Sequence, residues 1–92
     1  MRLISQNGAI DVPYEMSAIR NDDGLIILCV VGETGKGSVI ARYSTSEKAE
    51  KAMEMLREKY KDYAKATNKS NFFTMFDYPK VFQFPQDEDV EV

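Results

Sequence analysis

Histidine is absent from the sequence, and cysteine occurs once, at Cys29 inside an apolar run. Those two facts remove most of the usual chemistry. Hydrolytic triads lack their common base, and one thiol cannot build a four-ligand zinc site or an internal disulfide. Cys29 reads as a small buried hydrophobe. The Asp22-Asp23 pair and the acidic end could meet a hard cation, but neither has the spacing of a calcium-binding loop. Gly32-Glu33-Thr34-Gly35-Lys36-Gly37-Ser38 has the glycines and lysine of a phosphate cradle. A P-loop requires Gly-Lys-Ser/Thr opening a helix. Here Gly37 follows Lys36, and Val39-Ile40 reads as strand, so the segment is a glycine-rich hairpin loop. No pair of Asp, Glu, Lys or Tyr stands out as acid and base. The expectation is a non-enzyme with no catalytic residues, no metal and no cofactor.

Two groups of residues could bind instead. Arg57, Lys61, Lys65 and Lys69 are spaced by four and form a basic stripe on a helix, suited to phosphates. Glu58 and Asp62 interrupt that surface, which favours an ordinary solvated face. Phe72, Phe73, Phe76, Tyr78, Phe82 and Phe84 crowd six aromatics into thirteen residues. Core packing is the plain reading, with a protein-binding patch at Phe72, Phe73, Phe76 and Tyr78 as the functional one. No cations alternate with these rings as a stacking platform for single-stranded nucleic acid would need.

The element that must carry the stripe is a long amphipathic helix over residues 44–67. Ala49, Ala52, Met53, Leu56, Tyr60, Tyr63, Ala64 and Thr67 recur at steps of three and four, laying an apolar stripe on one side. Ser44 with Glu47 has the form of a capping box. Early acids (Glu47, Glu50, Glu54) and late bases follow the helix dipole.

The rest reads as strands. Gln6-Asn7-Gly8 separates two short strands as a type I′ hairpin turn, with Ile10 and Val12 on one face and Pro13 ending the second strand or holding it at an edge. Residues 14–21 suggest a further strand, closed by a turn at Asn21-Asp22-Asp23-Gly24. Residues 25–31 are continuously apolar, as in a strand covered on both faces. Residues 38–43 are its antiparallel partner, and residues 80–84 form a last strand with Phe82 and Phe84 on one face.

Ninety-two residues, 43% hydrophobic and 29% charged, suit one small globular domain. Formal net charge is −3, yet Asp87, Glu88, Asp89 and Glu91 supply four of the fifteen acids, leaving twelve basic against eleven acidic residues through Gln86. Near-neutrality argues against a dedicated nucleic-acid binder. Residues 86–92 read as an acidic mobile tail on a domain of residues 1–85. No run approaches the ~20 apolar residues of a membrane span, and the start lacks the apolar centre of a signal peptide. A cytoplasmic protein is expected.

The opening Met1-Arg2-Leu3-Ile4-Ser5-Gln6-Asn7-Gly8 with Ile10-Asp11-Val12-Pro13-Tyr14-Glu15 resembles small proteins of phages and prophages of Gram-positive, Firmicutes-type gut bacteria. The helix entry Tyr43-Ser44-Thr45-Ser46-Glu47-Lys48-Ala49 with Met53-Glu54-Met55-Leu56-Arg57 is similar to theirs. So is the ending Phe82-Gln83-Phe84-Pro85-Gln86-Asp87-Glu88-Asp89-Val90-Glu91-Val92. The resemblance implies a source and a bacterial-host compartment, and brings no catalytic residues. The reading is an α+β domain: an antiparallel β-meander of about five to six strands packed against one long α-helix. It is expected to be a phage accessory module that binds protein, with homodimerisation through the sheet edge or the aromatic cluster as an aid to stability. The alternative is a weak nucleic-acid binder using Arg57, Lys61, Lys65 and Lys69.

Overall fold

The computed structural model describes residues 1–30, 37–68 and 81–92, with the backbone alone for 65–68. In chain order it has β1 (Arg2–Ile4), β2 (Asp11–Pro13), β3 (Ser17–Asp22), β4 (Leu25–Val30), β5 (Ser38–Arg42), α1 (Ser46–Asn68) and β6 (Val81–Gln83). Short 3₁₀ turns lie at Tyr14–Met16 and Asp87–Asp89. This is the expected α+β protein, with six strands and one long helix among the described residues.

The strands divide between two sheets rather than forming one meander. One has the order β2-β1-β6 and the other β3-β4-β5. The break falls where Pro13, without an N–H, ends edge strand β2 and the Tyr14–Met16 turn redirects the chain. Tyr14 N–H then donates to the Met1 carbonyl at 2.8 Å. β6 comes back parallel to β1, pairing Leu3 with Phe82.

The apolar run becomes the middle strand β4, with Ile26, Ile27 and Leu28 buried in succession. Its partner β5 carries a bulge, because Ile26 faces Ala41 whereas Ile27 faces Val39. Ile40 is the extra residue, so Ile40 and Ala41 are both buried although they are neighbours in sequence.

Turn chemistry differs from expectation at two places. The doubly positive φ of a type I′ hairpin belongs to Asp23 (52°) and Gly24 (94°), linking β3 to β4. In the first hairpin only Gly8 has positive φ, and Gly8 N–H closes a turn onto the Ser5 carbonyl at 2.9 Å. Asn7 contributes through its side chain, its Oδ1 accepting from Ala9 N–H at 2.9 Å.

Helix α1 packs the expected face on the strands. Ala49, Ala52 and Leu56 are 0% exposed, whereas Met55 is 38% exposed. Two alanines at the contact let the helix come close, and Leu56 fills the gap beyond them. The cap is Thr45, not Ser44: Thr45 Oγ1 accepts from Lys48 N–H at 3.1 Å, three residues into the helix. Ser44 is used differently, donating its N–H to Asp87 Oδ1 at 2.7 Å.

That contact corrects the reading of residues 86–92 as a mobile tail. Val90 is 3% exposed and belongs to the core with Leu3, Phe84 and Leu56. Composition misjudged the segment because one valine, placed by the turn at Asp87–Asp89, reaches the core while the charges stay outside.

Candidate interaction surface

Arg57 and Lys61 are exposed on α1 and Lys65 lies further along its backbone, while Lys69 lies outside the described residues. Successive helical residues turn by about 100°, which puts Glu54, Glu58 and Asp62 in the same sector as Arg57, Lys61 and Lys65. A shallow depression of about 300 Å³ nearby is lined by Lys51, Glu54, Met55, Glu58, Lys59 and Asp62. Three carboxylates against two lysines do not make a phosphate track. Lys51 is already within 3.8 Å of Glu54.

Of the expected aromatic patch, Phe72, Phe73, Phe76 and Tyr78 lie outside the described residues. Phe82 and Phe84 are core, with ring centroids 5.4 Å apart in an edge-to-face pair. Sequence reading missed a second aromatic contact, because its partners are far apart in the chain. Tyr14 packs on Tyr60 at 4.6 Å, and Tyr60 on Tyr63 at 6.0 Å.

The carboxylates with well-defined partners are occupied structurally. Glu15 accepts from the Met1 ammonium at 3.1 and 2.9 Å, and that hydrogen bond holds its carboxyl below the usual range. Asp87 is also lowered, first by the Ser44 amide and further by Lys48, whose Nζ is 3.5 Å from Oδ2. Tyr43 donates its hydroxyl to the Pro85 carbonyl at 2.7 Å. Burial raises the Tyr43 pKa, and the Asp87 charge adds to the shift. None of these contacts pairs a nucleophile with a base. Among the described residues no group of three or more Cys, Asp or Glu converges as metal ligands would.

The outer face of β3-β4-β5 is a better-defined surface. Registers place Ala18 beside Cys29, Arg20 beside Ile27, Ile27 beside Val39, and Leu25 between Asp22 and Arg42. Alternation turns these side chains away from the face that carries Ile26 and Leu28 to the core. Val39 is 37% exposed, Ala18 is also exposed, and Cys29 is half-buried. An apolar strip therefore runs across the sheet, with Arg20, Asp22 and Arg42 around it. The sequence hinted at this only through the continuous apolarity of residues 25–31, which gave no way to tell the two faces apart.

No family model matches the chain, and comparison with curated proteins and with solved structures finds no match. No helix among the described residues is long and apolar enough to cross a membrane.

Proposed function

We propose that this chain is a non-catalytic interaction module, an accessory protein of a phage or prophage working in the cytoplasm of its bacterial host. The observation that carries the interaction reading is the outer face of β3-β4-β5, where Ala18, Cys29 and Val39 remain accessible beside the Arg20, Asp22 and Arg42 charges. An apolar strip with a charged border is the composition of a protein-docking surface. The phage source rests on the resemblance of both ends and of the helix entry. The mixed-sign surface of α1 supports a protein partner over nucleic acid.

The test compares two arms. Immobilised protein is exposed to extract of a Gram-positive gut bacterium, beside its Val39→Asp variant. A retained protein that the variant loses, while its melting temperature is unchanged, supports the reading. In parallel, labelled DNA and RNA are titrated at ~50 and ~200 mM salt. Tight binding that falls steeply with salt and vanishes when Arg57, Lys61 and Lys65 become Gln would overturn it.

A further inference from the structure

We infer that β3 is the edge through which two copies of this chain join, strand against strand, with Arg20 of each copy opposite Asp22 of the other. This rests on the interaction-module reading and names one partner, a second copy.

The two-residue Asp23-Gly24 turn makes Asp22 and Leu25 a hydrogen-bonded pair, and such pairs alternate along an antiparallel ladder. Arg20 and Ala18 therefore direct their backbone groups at β4, while Ile19 and Asn21 direct theirs away from it. Among the described residues, no backbone hydrogen bond beyond the sheet reaches Ile19 or Asn21. The other long edge is treated differently. Along β5, Gln6 N–H donates to the Ile40 carbonyl at 2.8 Å, and the Gln6 side chain meets both backbone groups of Arg42. Edge strand β2 is three residues long and ends in Pro13. β3 is six residues long, with no proline, lysine or bulge. Edges without such protection are templates for another strand.

Charge chooses both the occupant and the register. Arg20 and Asp22 are exposed on the outer face, and neither has an ion-pair partner among the described residues. Antiparallel pairing of two β3 strands about Arg20 would set the two arginines against each other. Moving the two-fold by one residue, to Asn21, puts Arg20 opposite Asp22 twice and keeps the outward amides of Asn21 paired. Opposite charges facing across strands stabilise, and like charges destabilise. A strand with two opposite charges two residues apart is complementary to itself in that one register.

Sedimentation velocity over a concentration series tests this, with amide exchange as a second reading. The wild-type chain should form a dimer in which residues 20–22 of the two strands overlap, and exchange at Asn21 should slow as concentration rises, while Ile19, opposite the Asp23 turn of the other copy, should not change. Arg20→Asp and Asp22→Arg should each weaken the dimer by about tenfold or more, with melting of the dilute protein unchanged. The double exchange, Arg20→Asp with Asp22→Arg, should restore it. A monomer at every concentration would overturn the inference. So would a dimer that ignores both single changes, or one that the double exchange fails to restore. A monomer whose retained partner is still lost in Val39→Asp would leave the broader interaction reading standing.

Discussion

The side-chain amide of Gln6 meets the backbone of Arg42 at both ends, as a neighbouring strand would. Arg42 N–H donates to Gln6 Oε1 at 2.9 Å, and Gln6 Nε2 donates to the Arg42 carbonyl at 3.1 Å. The same Nε2 reaches the Pro85 carbonyl at 3.0 Å, and the Gln6 carbonyl accepts from Gln86 Nε2 at 2.9 Å. One residue in a turn thus ties the two sheets and the segment after β6 together. β5 is the edge strand, and alternation turns the backbone groups of Ile40 and Arg42 away from β4, toward Gln6.

Gln6→Ala should therefore destabilise the fold by about 1–3 kcal/mol, counting roughly 0.5–1.5 for each lost hydrogen bond and allowing water to replace part of them. Gln86→Ala, which removes one exposed bond, should cost distinctly less. Urea melts of the two variants check the order, and equal losses would show that Gln6 is not the tie.

Leu56→Ala should cost about 2–5 kcal/mol, since Leu56 is fully buried between helix and sheets. Met55→Ala, one position away on the solvent side, should stay within about 0.5 kcal/mol. Thermal or denaturant melts would reveal a misplaced helix face through similar losses at both positions.

The helix face was legible because eight residues at steps of three and four leave little choice of orientation. β4 and β5 were legible for a similar reason, being apolar or alternating runs between glycines and turn residues. What the sequence could not disclose is pairing at long range. Nothing local says that Phe82 lies beside Leu3 on a parallel strand, or that Gln6 closes the edge of β5. Nor does composition separate Asn7-Gly8 from Asp23-Gly24 as the type I′ turn. That depends on the hairpins around them, a two-residue link in one and a wider loop with a side-chain acceptor in the other. Of the binding residues singled out, Arg57 and Lys61 are on the surface as read. The outer face of β3-β4-β5 was illegible because its members come from three strands.

Gly24 has a positive φ of 94°, and a Cβ there would lie 2.8 Å from the Tyr43 carbonyl oxygen. Gly8 also has positive φ, but its nearest neighbour would be the flexible Gln83 side chain at 3.7 Å. Gly8→Ala should cost on the order of 1 kcal/mol from backbone strain alone, and Gly24→Ala more, toward about 3 kcal/mol. Gly24 accepts Tyr43 N–H through its own carbonyl, so the clash falls where the chain leaves β5 for α1. Comparison of the two melting curves separates strain from crowding.

Acid should loosen the contact between Asp87 and the helix entry. A carboxylate whose folded-state pKa is lowered stabilises the fold above its unfolded pKa, and the contribution is lost as pH falls through the folded value. For Asp87 and Glu15 that window lies below the ordinary carboxylate range near pH 4. Asp87→Asn keeps an acceptor for Ser44 N–H but removes the charge that Lys48 and the amide favour. Its stability should fall less steeply than the wild type between about pH 5 and pH 2. An unchanged slope in urea melts across that range would remove Asp87 from the account.

Truncation after Gln86 should be costly, although the segment it removes is mostly charge. Val90 is 3% exposed, and loss of a buried valine side chain alone is about 1.5–3 kcal/mol. Cutting there also frees Ser44 N–H from Asp87 and removes the Asp87 carbonyl that accepts from Lys48 Nζ at 3.1 Å. Both losses fall at the entry to α1, one at Ser44 just before the Thr45 cap and one at the Lys48 side chain of the first turn. Val90→Ala keeps Asp87 in place and should reproduce part of the truncation effect. Asp87→Ala in the full chain should account for much of the remainder. The three melting temperatures, measured side by side, decide the matter: a truncated chain that melts with the wild type would mean that residues 86–92 do not hold the helix entry.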